Sequence, residues 1–188
     1  MLSVESWSGQ RVSEGQLGCP VCHARYPIRR GAVDFGGGSH DVRHAPNSAP
    51  ADAMRLAAQL SLTEAGGILL LTGPYAACAD MLAEFADVTC LLVDAAPGLS
   101  ETAVHIHVSE RLPLVDRALR GAAVTESHNE PAFVAEVARC VRPGGRIVAP
   151  ARMAVPIGSR LIARDDREWV VEMEGSSAPI PLRRAQPG

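Results

Sequence analysis

The stretch Ile68-Leu69-Leu70-Leu71-Thr72-Gly73 decides the fold. Its apolar run reads as a strand buried on both faces, and the glycine that ends it opens a turn into a helical pattern beginning near Ala76. Outward from it, Leu91-Leu92-Val93-Asp94 repeats the design and ends on an acid 21 residues after Gly73. Further on, Arg142-Pro143-Gly144-Gly145-Arg146-Ile147-Val148 reads as a helix stop followed by another strand. A glycine lets the backbone approach a ligand, a following helix offers free N–H groups, and an acid at the next strand's end can accept two hydrogen bonds from a ribose diol. On this reading, function sits around Gly73 and Asp94.

The rest of the chain alternates in the same way. Ala53, Met54, Leu56, Ala57 and Leu60 recur at helical spacing and stop before Gly66-Gly67. A strand at 68–72, a helix near 76–86, strands at 88–93, 104–108 and 121–125, a helix at 130–140 and a strand at 146–150 follow. Two strands flanking the polar turn Asp165-Asp166-Arg167 close the series as a hairpin. This order predicts an α/β fold: a Rossmann-like, mostly parallel sheet that finishes with a C-terminal antiparallel hairpin. Residues 1–35 read as a small strand-poor, turn-rich segment, 36–50 as a glycine- and proline-bearing linker, 51–175 as the main domain and 176–188 as a proline-bearing tail.

Composition narrows the chemistry. The 188 residues are 47% hydrophobic with a net charge of −3, and neither a basic stripe nor a long acidic run is present, which predicts no nucleic-acid partner. No apolar run reaches the length of a membrane span, so no membrane partner is expected either. All 18 basic residues are arginine. A chain without lysine has no Schiff-base nucleophile, no pyridoxal phosphate anchor and no P-loop lysine. Five cysteines, an odd number, and a start without a signal-peptide pattern lead to the expectation of a reducing cytoplasm. Cys78, Cys90 and Cys140 fall in apolar helix or strand patterns and read as buried structural thiols.

Dinucleotide binding would need glycine at the first, third and sixth positions of the loop, where this chain has Gly73, Tyr75 and Cys78. The ordered set of the loop Leu70–Ala77, the acid Asp94, Arg142-Pro143-Gly144-Gly145 and the closing Arg164-Asp165-Asp166-Arg167-Glu168-Trp169 instead resembles the class I S-adenosylmethionine-dependent methyltransferases, over roughly residues 50–175. The resemblance implies that the loop carrying Thr72, Gly73 and Tyr75 packs on the methionine part of the cofactor, that Asp94 holds the ribose and that Ser109 and Glu110 contact adenine. It also places Thr125 to Asn129 where substrate or catalytic groups stand, with His128 as a general base and Glu126 beside it; a polar cap for the next helix is the alternative for this stretch. The methyl acceptor, a small molecule or otherwise, is not readable. The chain departs from the family at Thr72, where an acid is expected, and at Tyr75 and Ala77, where glycines are expected. The nine residues Ala95–Ala103 are also too few for a crossover with its helix. These departures describe a degenerate cofactor loop and keep open a non-catalytic binding or partner-activating module, a pseudoenzyme.

At the amino end, Gly18-Cys19-Pro20-Val21-Cys22 is a knuckle that supplies two thiolates, Cys19 and Cys22, of the four ligands a structural zinc requires. With Tyr26-Pro27-Ile28-Arg29-Arg30-Gly31 it resembles the zinc-ribbon family of methyltransferase-activating subunits, which implies a possible protein partner for this segment. Three explanations of the half site stand: a first knuckle lost upstream of Met1, a ribbon without its metal, or completion by His40 and His44. His105 and His107 read as a polar surface pair.

Overall fold

The computed structural model describes residues 1–9, 11–36, 50–96, 98–109, 111–126 and 131–175. In chain order the elements are β1 (Leu2–Ser8), β2 (Arg11–Gly18), β3 (Arg25–Arg29), β4 (Ala32–Asp34), α1 (Pro50–Gln59), β5 (Ile68–Thr72), a 3-10 turn (Gly73–Cys78) and α2 (Ala79–Ala86). These are followed by β6 (Thr89–Val93), β7 (Val104–His107), β8 (Leu119–Ala123), α3 (Pro131–Cys140), β9 (Val141–Pro150), β10 (Ser159–Arg164) and β11 (Glu168–Met173). All the strands join one sheet in the order β1-β2-β3-β4-β7-β6-β5-β8-β9-β11-β10. The centre, from β4 to β9, is parallel, and both ends are antiparallel. From β5 the chain moves outward through β6 to β7, then returns to β8 on the other side, so the topological switch point lies between β5 and β8.

Strand periodicity explains the two layers. Leu69 and Leu71 point to one face, where Leu56 of α1, Leu60 just after it, and Ala79 and Leu82 of α2 cover them; Leu70 points to the other, beneath Phe133, Val134 and Val137 of α3. Each fully buried leucine contributes about 1.5–3 kcal/mol over its exposed state, which is why these strands can be almost uninterruptedly apolar. Trp169 is completely buried on the α3 side, its indole N–H donating to the Met153 carbonyl at 2.8 Å.

The Arg-Pro-Gly-Gly segment lies within β9. Val141 pairs with Leu119 and Arg146 with Gly121, so residues 142–145 bulge opposite the single residue Arg120. A Cβ on Gly145 would stand 2.5 Å from the Arg120 carbonyl, which leaves room only for glycine.

Several expectations are corrected. The first 35 residues are not strand-poor: β1 to β4 form an antiparallel meander that joins the main sheet through parallel pairing of Ala32, Val33 and Asp34 with His105, Ile106 and His107. These strands are mostly half-exposed, so they carry no alternating apolar signal of the kind that marks a strand over a core. The predicted helix at 76–86 is a 3-10 turn followed by α2, and the strands expected at 121–125 and 146–150 begin earlier, at Leu119 and Val141. His105 is 7% exposed and His107 is half-buried, so they are not a surface pair. Most of the expected linker, including His40 and His44, lies outside the described residues, as do the tail, Glu110 and His128. Among the described residues no helix is long and apolar enough to cross a membrane.

Candidate functional site

Thr72 and Val93 are paired across β5 and β6, so Gly73 and Asp94 occupy the same level at the carboxyl ends of neighbouring parallel strands. Ligands of open α/β sheets bind at such a place. The connection between β6 and β7 contains no helix among its described residues. On that side the wall is provided by the amino-terminal meander, whose Arg11 reaches across to the carbonyls of Ser100, at 3.3 Å, and Ala103.

The loop after β5 is anchored to its neighbours. Thr72 is fully buried, and its hydroxyl accepts the Thr125 N–H at 2.9 Å. Gly73 has φ +51°, and a Cβ there would lie 2.8 Å from both Cγ2 and Oγ1 of Thr125. The space beside this glycine is therefore taken by Thr125, two residues beyond β8, a requirement for glycine that arises inside the fold. Tyr75 does not point toward Asp94. Its hydroxyl donates to Glu168 Oε1 at 2.8 Å on β11, which lies on the other side of β5 from β6, and its ring packs against the α1–α2 core. Glu168 Oε2 also accepts from Arg55 at 2.6 Å and Gln59 at 2.8 Å. Burial and the hydrogen bond to Glu168 push the Tyr75 phenol far up, so it stays a proton donor. Burial works against ionisation of Glu168, but the bonds from Gln59, Tyr75 and Arg55 prevail and hold its carboxyl below the usual range.

Asp94 adopts φ +51°, an uncommon left-handed conformation for a residue with a side chain, and its N–H donates to the Ile106 carbonyl at 3.0 Å. Its Oδ1 lies 3.1 Å from His107 Nδ1. That hydrogen bond, with the charges of Asp94 and Asp34, raises the His107 pKa against the opposing effect of burial. Asp94, His107 and Asp34 thus form a chain of charges along the carboxyl edge of β6, β7 and β4, which the register Asp34 to His107 aligns. His107 was not among the residues singled out for the site; the sequence offered it as one of a polar pair with His105, and its partner Asp94 became visible only with the register.

Ser109 is exposed just beyond β7, and Glu126, just beyond β8, forms an ion pair with Arg152. The fold thus gathers Thr72, Gly73, Asp94, Ser109 and Glu126 at one end of the sheet and turns Tyr75 away from Asp94. Cys19 and Cys22 sit in the turn between β2 and β3, where the Cys19 N–H donates to Ala24 O at 2.9 Å. Hydrogen bonds from the backbone of Cys22 and Val21 lower the Cys19 pKa. Two thiolates are half of a zinc shell, and among the described residues no group of three or more His, Cys, Asp and Glu is arranged to hold a metal. These residues do not complete a zinc site.

No protein-family model matches the chain, and no curated protein matches it. Among solved structures it is similar to a putative S-adenosyl-L-methionine-dependent methyltransferase from Methanococcus maripaludis, at 13% identity and a TM-score of 0.49 over 70% of this chain and 87% of that one. It is similar to the antibiotic-resistance methyltransferase Kmr at 17% identity and a TM-score of 0.47, over 71% and 97% of the two chains. A putative sarcosine dimethylglycine methyltransferase from Galdieria sulphuraria matches at 17% identity and a TM-score of 0.44 over 53% of this chain. The chain spans 45% of the length of the Galdieria protein.

Proposed function

We propose that this chain is a methyltransferase-like protein whose crevice outside β5 and β6 takes S-adenosylmethionine or the S-adenosylhomocysteine left after transfer. The observation that carries the reading is the placement of Gly73 and Asp94 at one level beside the topological switch point. Asp94 would accept the ribose hydroxyls, His107 would hold its carboxylate in place, and Ser109 would stand on the adenine side. The bound cofactor supplies an electrophilic methyl group, and the protein's part is orientation and exclusion of water. The glycine loop fits the cofactor less well than Asp94 does. Thr125 fills the space beside Gly73, which supports weak binding.

A second reading, a non-catalytic or partner-activating module on the same fold, is favoured by the Thr72–Thr125 contact and by Asp94 already engaging His107. Titration calorimetry of the full chain with S-adenosylmethionine and S-adenosylhomocysteine separates the two. The first reading expects measurable binding that Asp94→Ala abolishes. Absence of binding to either ligand supports the second, and binding indifferent to Asp94→Ala refutes the assigned site.

A further inference from the structure

A second cavity, of about 820 Å³, opens at the other end of β7, between the amino-terminal meander and the β6–β7 connection. Its walls come from the β1–β2 turn, the β3–β4 turn and residues 98–102, and its lining includes Ser8, Arg11, Arg30, Glu101, Thr102 and His105. The volume lies within the usual range for small-molecule sites. His105 precedes His107 by two residues on the same face of β7, and Gly73, Asp94 and His107 are not among the residues that line this cavity.

The charges in this cavity are incompletely matched. Arg11 is half-buried and, among the described residues, donates to neutral acceptors, the Ser100 carbonyl at 3.3 Å and that of Ala103. The Arg30 guanidinium forms no hydrogen bond or ion pair among the described residues; only its backbone N–H is used, donating to Glu14 at 3.0 Å. Asp80 lies close enough to feel Arg11, but its Oδ1 accepts from the Ser100 and Thr102 hydroxyls and it makes no ion pair with Arg11. Burial lowers the His105 pKa, so this ring is neutral near pH 7, and its Nε2 lies 3.3 Å from the Ser100 carbonyl. The lining carries two arginines and one carboxylate residue, Glu101, while Asp80 acts on Arg11 from outside it and Glu14 lies beside the Arg30 backbone. A guanidinium offers a planar fork that matches carboxylate and phosphate oxygens, and the exposed Arg30 side chain keeps that fork unbonded among the described residues.

We propose that this cavity binds a small organic anion, with its phosphate or carboxylate group received by Arg11 and Arg30. The volume exceeds that of a bare oxyanion, leaving space beside the serine and threonine hydroxyls for the rest of the molecule. The test is calorimetry on the full chain with inorganic phosphate, with citrate, and with chloride at matched ionic strength. Saturable binding of phosphate or citrate is expected, with the stronger of the two identifying the anionic group. Arg30→Ala, which removes a side chain without bonds to the fold, should weaken it at least tenfold, and Arg11→Gln, checked for folding by circular dichroism, should do the same. Arg160→Ala, on the far edge strand, should change nothing. No saturable binding beyond that of chloride, or binding retained within twofold in Arg30→Ala, would overturn the proposal.

Discussion

Replacing Gly73 with alanine distinguishes a glycine kept for a ligand from one kept for the fold. The new residue would have to hold φ +51°, which costs about 1–2 kcal/mol for an L side chain. Its Cβ would also meet Thr125 Cγ2 and Oγ1 at 2.8 Å. Thr125 cannot withdraw easily, because its N–H is bonded to the buried Thr72 hydroxyl at 2.9 Å. Overpacking of this kind costs about 1–3 kcal/mol, so Gly73→Ala should destabilise the fold by ~2–5 kcal/mol in total. Thr125→Ala removes both overlapping atoms and keeps its own N–H bond, so it should cost about 1 kcal/mol alone. In the double variant the two contacts at 2.8 Å are gone and a 3.2 Å approach to the residue 125 Cβ remains beside the backbone term, which predicts a favourable coupling of ~1–3 kcal/mol. Urea unfolding of the four proteins of the cycle, followed by circular dichroism, measures it. Additive losses, or a Gly73→Ala protein as stable as the parent, would refute the packing argument and return the glycine to a ligand-binding role.

Four further outcomes follow from the electrostatics of the fold. Tyr75→Phe deletes the donor at 2.8 Å to Glu168 and should cost about 1–2 kcal/mol in urea unfolding. Because the folded carboxyl of Glu168 is depressed, the stability it provides is present above its unfolded pKa and lost as pH falls through the lower folded value, a loss that Glu168→Gln should flatten in a pH series. His107 has a raised pKa, so its contribution is complete below the unfolded value near 6.5 and fades as pH rises through the folded one. NMR titration should find its ring protonated to higher pH than an ordinary histidine, and Asp94→Asn should remove that elevation. Finally, iodoacetamide near neutral pH should label Cys19 and Cys22 first, since Cys19 is lowered and Cys22 is exposed. Cys90 should resist until the chain unfolds, because it is buried and its thiol is pushed up to about 12; labelling at Cys90 as fast as at Cys19 would contradict the structure.

The central sheet was legible in the amino-acid order because its physics is local. Short continuous apolar runs such as Leu69–Leu71 and Leu91–Val93, bounded by turn residues, read as strands covered on both faces, and the glycine, acid and closing hairpin fall where such runs end. The same order placed Gly73 and Asp94 at one level, and its nine residues Ala95–Ala103 are too few for a crossover with its helix, in keeping with a connection that has no helix among its described residues. What tertiary structure alone decided were the partners. Strands β1 to β4 gain their place through pairing with β7, about 70 residues away in sequence, and their half-exposed faces carry no signal of it. Tyr75 was turned toward Glu168 and Asp94 was joined to His107 by register and by the sheet's order, which bring together residues 93 and 13 positions apart. A residue's type limits which bonds it can make, but which neighbour receives them depends on long-range packing that no local pattern encodes.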